Sequence, residues 1–149
     1  MPGIQTRSVV QADRPRWEPL WEGYNRFYER KLPADITDKT WSRFLDRDEP
    51  VYALVAERDG ELLGLAHYLF HRSTIMITPT CYLQDLFTAE KARGQGIGRA
   101  LIEAVYERAR AAGAPRVYWQ THETNRTAMA LYDRIAERSG FLVYRKNLG

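Results

Sequence analysis

The chain has 149 residues, of which 44% are hydrophobic and 28% are charged. This length and composition suit a single domain with an ample core, and they exclude a disordered tail, a repeat array and a two-domain enzyme. The 22 basic and 19 acidic residues give a net charge of only +3. Because both signs are interleaved along the chain, we do not expect a nucleic-acid-binding stripe.

Cysteine content and hydropathy bear on the cellular setting. The chain has one cysteine, Cys81, which cannot form an internal disulfide and suits a reducing, cytoplasmic setting. No apolar run reaches the roughly 18 residues that a membrane span needs, and residues 1–10 lack the apolar core of a signal peptide. His67 and His71 could share a strand face, but without a third ligand we expect no metal site. We therefore expect a soluble cytoplasmic protein without a metal.

Periodicity and turn signals divide the chain into alternating strands and helices. The predicted elements are a strand at 4–10, a helix from residue 14 that closes at 31–33, a second helix capped by Thr37 that ends before Pro50, strands at 51–58, 61–70 and 80–88, a helix at 96–112, a short strand at 116–121, a helix at 125–138 and a closing strand at 141–145. Because helices connect the later strands, the fold class is mixed α/β with at least one parallel strand pair.

Two local patterns support this division. The dipeptide Asp59-Gly60 between two strand-like runs is a strong signal for a β-hairpin. The first helix carries an aromatic stripe at three- and four-residue spacings, which we interpret mainly as core packing. The stripe consists of Trp17, Trp21, Tyr24 and Tyr28.

A glycine-rich turn, Arg93-Gly94-Gln95-Gly96-Ile97-Gly98-Arg99, lies between a predicted strand and a predicted helix. Glycines expose backbone N–H groups, and the start of a helix adds unpaired donors and a positive dipole end, so the turn suits a phosphate. The spacing does not fit a dinucleotide fingerprint, because the required third glycine would fall on Arg99 or Leu101. A Walker loop is also excluded, since no Gly-Lys-Ser/Thr follows.

Several segments in this order resemble the acetyl-CoA-binding core of the GNAT superfamily of N-acetyltransferases. They are residues 82–88 (YLQDLFT), residues 93–99, Tyr118-Trp119 and residues 125–132 (NRTAMALY). The sequence of these segments is similar to those of the polyamine N-acetyltransferases and of the small yeast histone and D-amino-acid N-acetyltransferases. The resemblance spans about residues 80–145. It implies a central mixed, mostly antiparallel sheet flanked by helices, a helical segment after the first strand, acetyl-CoA as cosubstrate and a homodimer in which residues 141–146 could join a sheet across subunits.

The resemblance also implies roles for individual residues. The turn would present backbone amides to the CoA diphosphate, the strand before it would bind the pantetheine arm, and Asn125 would touch the cofactor near its thiol. The implied cofactor-binding residues are Leu86, Phe87, Thr88, Arg93, Gly94, Gln95, Gly96, Ile97, Gly98, Arg99 and Asn125. Tyr132 would stand close to the sulfur and protonate the departing thiolate.

The general base stays open at the level of sequence. Gln84 occupies the position where polyamine-type relatives carry a glutamate, and an amide cannot accept a proton as a base. Glu123 is the first candidate, with Asp85 and His122 as alternatives, directly or through an ordered water.

The leading functional hypothesis is transfer of the acetyl group of acetyl-CoA to a primary amine by direct attack in a ternary complex. The acceptor is a small amine, an amino acid or a protein or peptide amine. The alternative is a non-catalytic sensor that binds CoA or acyl-CoA without turnover. Binding of nucleic acid through the surface arginines is a further alternative, which the interleaved acidic residues disfavour.

Overall fold

The computed structural model describes residues 3–149, and it divides between Trp119 and Gln120 into two compact units. Met1 and Pro2, the first residues of the segment in which we expect no signal peptide, lie outside the described residues. The first unit contains β1 (Gln5–Ser8), α1 (Arg14–Phe27), α2 (Ala34–Leu45), β2 (Val51–Arg58), β3 (Glu61–His71), β4 (Thr80–Thr88), α3 (Ile97–Ala111) and β5 (Val117–Tyr118). The second unit contains α4 (Arg126–Ile135).

The five strands form one sheet in the order β1-β2-β3-β4-β5. Neighbours from β1 to β4 are antiparallel, and β5 joins β4 in parallel. This confirms the mixed, mostly antiparallel sheet and its parallel pair, which α3 makes possible by crossing over between β4 and β5. The predicted hairpin is also confirmed, because Asp59 (φ 52°) and Gly60 (φ 77°) both adopt the positive φ angles of a type I′ turn.

Helices pack on both faces of the sheet. Trp17, Trp21 and Tyr24 of the aromatic stripe are buried, as expected, and pack with Trp41 of α2 against Val55 and Leu65 of the sheet. Tyr28, just after the end of α1, is half-buried against the same cluster. On Gly64, the residue of β3 that precedes Leu65, an added Cβ would point at Ile97 and Leu101 of α3. Because successive strand residues point to opposite faces, α1 and α3 cover opposite faces of the sheet.

Several predicted boundaries were wrong. The second helix begins at Ala34 rather than after Thr37, because the carbonyl of Pro33 already accepts the amide of Ile36 at 3.1 Å. Thr37 is not a cap: its hydroxyl accepts a hydrogen bond from the indole of Trp21 at 3.2 Å. The first strand and the strand predicted at 116–121 are shorter than expected, at Gln5–Ser8 and Val117–Tyr118. The last helix ends at Ile135 rather than at residue 138.

The predicted closing strand at 141–145 is not formed. Residues 136–149 have no regular helix or strand, and Phe141, Leu142 and Tyr144 are each more than 80% exposed. The apolar sequence of this segment is typical of a strand, but a strand needs a hydrogen-bonding neighbour. Within residues 120–149 the only regular element is α4, so this unit offers no strand for pairing.

Candidate active site

The glycine-rich turn connects β4 to α3 as predicted. Gly94 (φ 77°) and Gly96 (φ 80°) adopt left-handed backbone conformations that side-chain-bearing residues rarely take. Gly96 is the N-cap of α3, and no side chain caps this helix start. The first amides of α3 therefore lack both an intrahelical acceptor and a capping side chain, which suits them to an anion. Gln95 anchors the turn to β2 by accepting a hydrogen bond from Arg58 at 2.9 Å.

A cleft of about 470 Å³ lies between α1 and the segment that follows β4. Its basic side chains are Arg16, Arg26, Lys91 and Arg93, and Glu90 is its one acidic residue. The guanidinium of Arg93 lies 5.8 Å from the ring centre of Phe87. Arg16 is paired with Asp13 and Glu57, and Lys91 is paired with Glu61, so the positive charge that this cleft offers to an anionic ligand comes from Arg26 and Arg93.

The end of β4 that precedes the turn carries the three residues expected to contact pantetheine. Leu86, Phe87 and Thr88 pair with Ala66, Leu65 and Gly64 of β3, and all three are half-buried. Helix α1 packs closely against Phe87, since a Cβ added to Gly23 of α1 would lie 2.9 Å from the Phe87 ring.

A β-bulge interrupts β4 just before these residues. His67 of β3 pairs with Asp85 and Tyr68 pairs with Leu83, so Gln84 is the extra residue and is exposed. Without the bulge, Leu83 and Asp85 would point to the same face. The bulge instead directs Leu83 toward the α3 face with Tyr68, and Asp85 toward the α1 face with His67.

Asp85 enters a buried polar cluster under α1. The Oδ2 atom of Asp85 lies 2.9 Å from Nδ1 of His67, and Nε2 of His67 lies 3.0 Å from the indole nitrogen of Trp17. Burial, followed by the charge of Asp85 and a hydrogen bond to it, raises the pKa of Tyr24. Sequence reasoning missed this use of His67, although a histidine within the apolar run 62–70 was a signal. His71 is engaged elsewhere, at 2.6 Å from the hydroxyl of Tyr118.

The remaining predicted site residues lie in the second unit. Tyr132 is half-buried on α4, and Asn125 immediately precedes this helix. The amide of Asn125 donates to the hydroxyl of Thr121 at 3.3 Å rather than capping α4. Glu123 and His122 are exposed in the loop before the helix. The structure thus groups the turn with β4 in one unit, and Asn125, Glu123 and Tyr132 in the other.

Residues 3–149 contain neither a metal-binding cluster nor a membrane-spanning helix. Across residues 3–149, no group of three or more His, Cys, Asp and Glu side chains is arranged to hold a metal ion. None of the helices in this part of the chain is long and apolar enough to cross a membrane.

Comparison with known families agrees with this geometry. The model of the acetyltransferase (GNAT) family matches residues 15–136. The chain therefore belongs to the GNAT acetyltransferase family, and it is an N-acetyltransferase enzyme.

Individual relatives support the same conclusion along nearly the whole chain. The D-amino-acid N-acetyltransferase HPA3 of Saccharomyces cerevisiae is 35% identical over 150 aligned residues, covering 97% of this chain and 93% of the relative. The crystal structure of a probable acetyltransferase superposes with a TM-score of 0.85 at 23% identity, covering 97% of this chain and 98% of the other. AAC(6')-Iy in complex with the bisubstrate analog CoA-S-monomethyl-acetylneamine has a TM-score of 0.83 at 19% identity, with 97% and 99% coverage. These structures share the fold.

Proposed function

We propose that residues 1–149 act as one domain that transfers the acetyl group of acetyl-CoA to a primary amine by direct attack in a ternary complex. The observation that carries this proposal is the uncapped start of α3 after Gly94 and Gly96, in a turn that begins at Arg93 of the cleft, in a GNAT chain. The acceptor is a small amine, an amino acid or a peptide amine. The likeness to a D-amino-acid N-acetyltransferase favours the amino-acid class.

The fit of acetyl-CoA rests on the described geometry of the first unit. The open left-handed backbone at Gly94, with no atom near the position of an added Cβ, leaves room for a diphosphate against the turn. Residues 94–99 would bind the diphosphate through their amides, with Arg93 supplying positive charge. Leu86, Phe87 and Thr88 would bind the pantetheine arm through backbone groups, and Asn125 would contact it near the thiol. Acetyl-CoA supplies the activated thioester.

Tyr132 is the proposed proton donor to the thiolate. The ordinary pKa of tyrosine, about 10, lies above that of a thiol, about 8.5, so the transfer is uphill but a positioned donor still helps. The acceptor must lose a proton before attack, because alkylammonium groups have a pKa near 10. Gln84 cannot take this proton, so the carboxylates of Glu123 and Asp85 are the candidate bases, with His122 as an alternative.

Two wider properties belong to the same proposal. We expect the enzyme to act in the cytoplasm, where a free cysteine remains reduced. We also expect a homodimer, for which the exposed apolar segment 141–144 offers a surface. The sensor alternative is disfavoured, because the family consists of acetyltransferases and the chain retains a tyrosine at the expected acid position.

Release of thiol from acetyl-CoA across a panel of amines tests the proposal. Cys81 will not disturb the readout, because burial removes it from the reagent and raises the pKa of its thiol to about 11. We expect Tyr132→Phe to lower kcat roughly 100-fold while changing the KM for acetyl-CoA little. Tyr52→Phe, at a tyrosine of β2 that is 42% exposed, is the matched control. Tight CoA binding without turnover on any amine would favour the sensor.

A further inference from the structure

The cluster of Trp17, His67 and Asp85 contains polar atoms in places where burial is expensive. His67 is only 2% exposed and Trp17 is fully buried. Burying an imidazole and a carboxylate together disfavours folding unless each polar atom has a partner. Each of these polar atoms has a partner, so the network is hydrogen-bonded within the core.

The hydrogen bonds fix the protonation state of His67. The indole N–H of Trp17 can only donate, so Nε2 of His67, 3.0 Å away, must offer a lone pair. The proton of the neutral imidazole then resides on Nδ1, which donates to Oδ2 of Asp85 at 2.9 Å. Trp17 thus selects the one neutral tautomer that supports an ionised Asp85.

Tyr24 of α1 is also close enough to Asp85 to be affected by its charge. Burial first, and then the charge of Asp85, raise the pKa of Tyr24, so its hydroxyl stays protonated near the carboxylate. Burial is the main cause that raises the pKa of Tyr28 and of Tyr82. The charge of Asp85 adds to it in both, after Arg30, which lowers the pKa of Tyr28, and Tyr118, which raises that of Tyr82. The guanidinium of Arg30, 5.6 Å from the ring centre of Tyr24, is the positive group on this side. Asp85 is therefore a mostly buried carboxylate whose neighbours are largely aromatic side chains.

The position of Asp85 differs from that of Glu123. The side chain of Asp85 is 13% exposed, so it is shielded yet still reachable, whereas Glu123 is solvent-exposed. A shielded carboxylate interacts more strongly with an ammonium group than one in open water. Asp85 also lies directly beside Leu86 and Phe87, the residues proposed to bind the pantetheine arm.

We propose that Asp85 binds the ammonium group of the acceptor and takes its proton, and that neutral His67 is the positioning residue that aims Asp85. This role rests on the proposed acetyl transfer. Asp85 accepts one proton from the ammonium, and the amine lone pair forms the C–N bond as the C–S bond breaks. The nitrogen loses a second proton when the amide forms, and the departing thiolate gains one proton, so these two changes cancel. Asp85 then releases the proton that it took from the ammonium to solvent.

The test compares acceptors that do and do not need deprotonation. An alkylamine is protonated at pH 7, whereas an arylamine is already neutral. We expect Asp85→Asn to lower kcat/KM for the alkylamine about 100-fold or more, but that for the arylamine less than about tenfold. The KM for acetyl-CoA should change little, and Asp35→Asn, at an exposed carboxylate of α2, should behave as wild type. Equal losses for both acceptors, or a selective loss in Glu123→Gln instead, would overturn the proposal.

The positioning role has its own readouts. His67→Asn retains an N–H toward Asp85 and should keep most of the activity, whereas His67→Leu removes it and should approach Asp85→Asn. Nitrogen NMR of the wild-type protein should show a neutral His67 protonated on Nδ1, and this experiment needs neither activity nor a stable variant. Protonation on Nε2, or a charged imidazole at pH 7, would overturn the proposal. If the wild type releases no thiol with any amine, the proposed acetyl transfer fails, and the NMR result still decides the His67–Asp85 arrangement.

Discussion

A single glycine sets how closely α3 approaches the sheet. A Cβ on Gly64 would lie 2.9 Å from the carbonyl oxygen of Phe87, 2.9 Å from Ile97 and 3.0 Å from Leu101. The backbone oxygen cannot move aside without displacing β4. Gly64 therefore holds two parts of the proposed acetyl-CoA site, β4 and the start of α3, against each other.

We expect Gly64→Ala to lower the free energy of unfolding by about 1–3 kcal/mol, because the inserted methyl overpacks this contact. The KM for acetyl-CoA should rise as well, since β4 and α3 must separate. Gly60→Asn is the control, because Gly60 has open space around it and asparagine tolerates its positive φ. Chemical denaturation measures both variants. Wild-type stability in Gly64→Ala would show that the contact relaxes without cost.

An ion-pair network connects the edge strand β1 to the start of α1. The side chain of Asp13 is fully buried and accepts hydrogen bonds from Arg7 at 2.7 and 2.9 Å and from Arg16 at 2.8 Å. It also accepts the backbone amide of Val10 at 2.8 Å. The hydrogen bonds from Arg7 are the main cause that lowers the pKa of Asp13 from 3.8 to about 2.

This lowered pKa gives a pH-dependent stability. The ionised carboxylate stabilises the fold above pH 3.8, its ordinary pKa, and that contribution is lost as the pH falls through about 2. We expect Asp13→Asn to lower the free energy of unfolding at pH 7 on the order of 2 kcal/mol. The difference in free energy of unfolding between Asp13→Asn and wild type should shrink between pH 4 and pH 2. Asp48→Asn, at an exposed site, should be as stable as wild type over the same range. A constant difference across that range would contradict the role of the charge.

Local sequence patterns predicted some elements, whereas features that depend on strand register were missed. The strands β2 and β4 and the Asp59-Gly60 turn were predicted with their observed bounds, because alternation and turn chemistry are local signals. The glycine-rich turn was predicted for the same reason. The bulge at Gln84 and the bond from His67 to Asp85 depend on the register between β3 and β4, which no local pattern encodes. The strand expected at 141–145 failed because strand formation needs a neighbour as well as a suitable sequence.

At the scale of the whole molecule, the exposed apolar segment at the end of the chain bears on assembly. Val143 is 65% exposed and Phe141 is 89% exposed. Apolar side chains exposed side by side commonly mark an interface. We expect sedimentation to give a homodimer, and Val143→Lys to shift it toward monomer by placing charge in that interface. A monomer at all concentrations in the wild type would contradict the proposed dimer.

The start of α3 is the proposed binding site for the diphosphate of CoA, and titration calorimetry with acetyl-CoA measures this interaction itself. Gly96 and Gly113 have nearly equal positive φ angles, 80° and 78°, just beyond opposite ends of α3. Alanine at either position should strain the backbone similarly, by about 1–2 kcal/mol. We predict that Gly96→Ala weakens acetyl-CoA binding roughly tenfold or more, which corresponds to about 1.4 kcal/mol, while Gly113→Ala binds as wild type. Equal affinities in the two variants, or no heat of binding in the wild type, would show that this helix start does not bind the diphosphate.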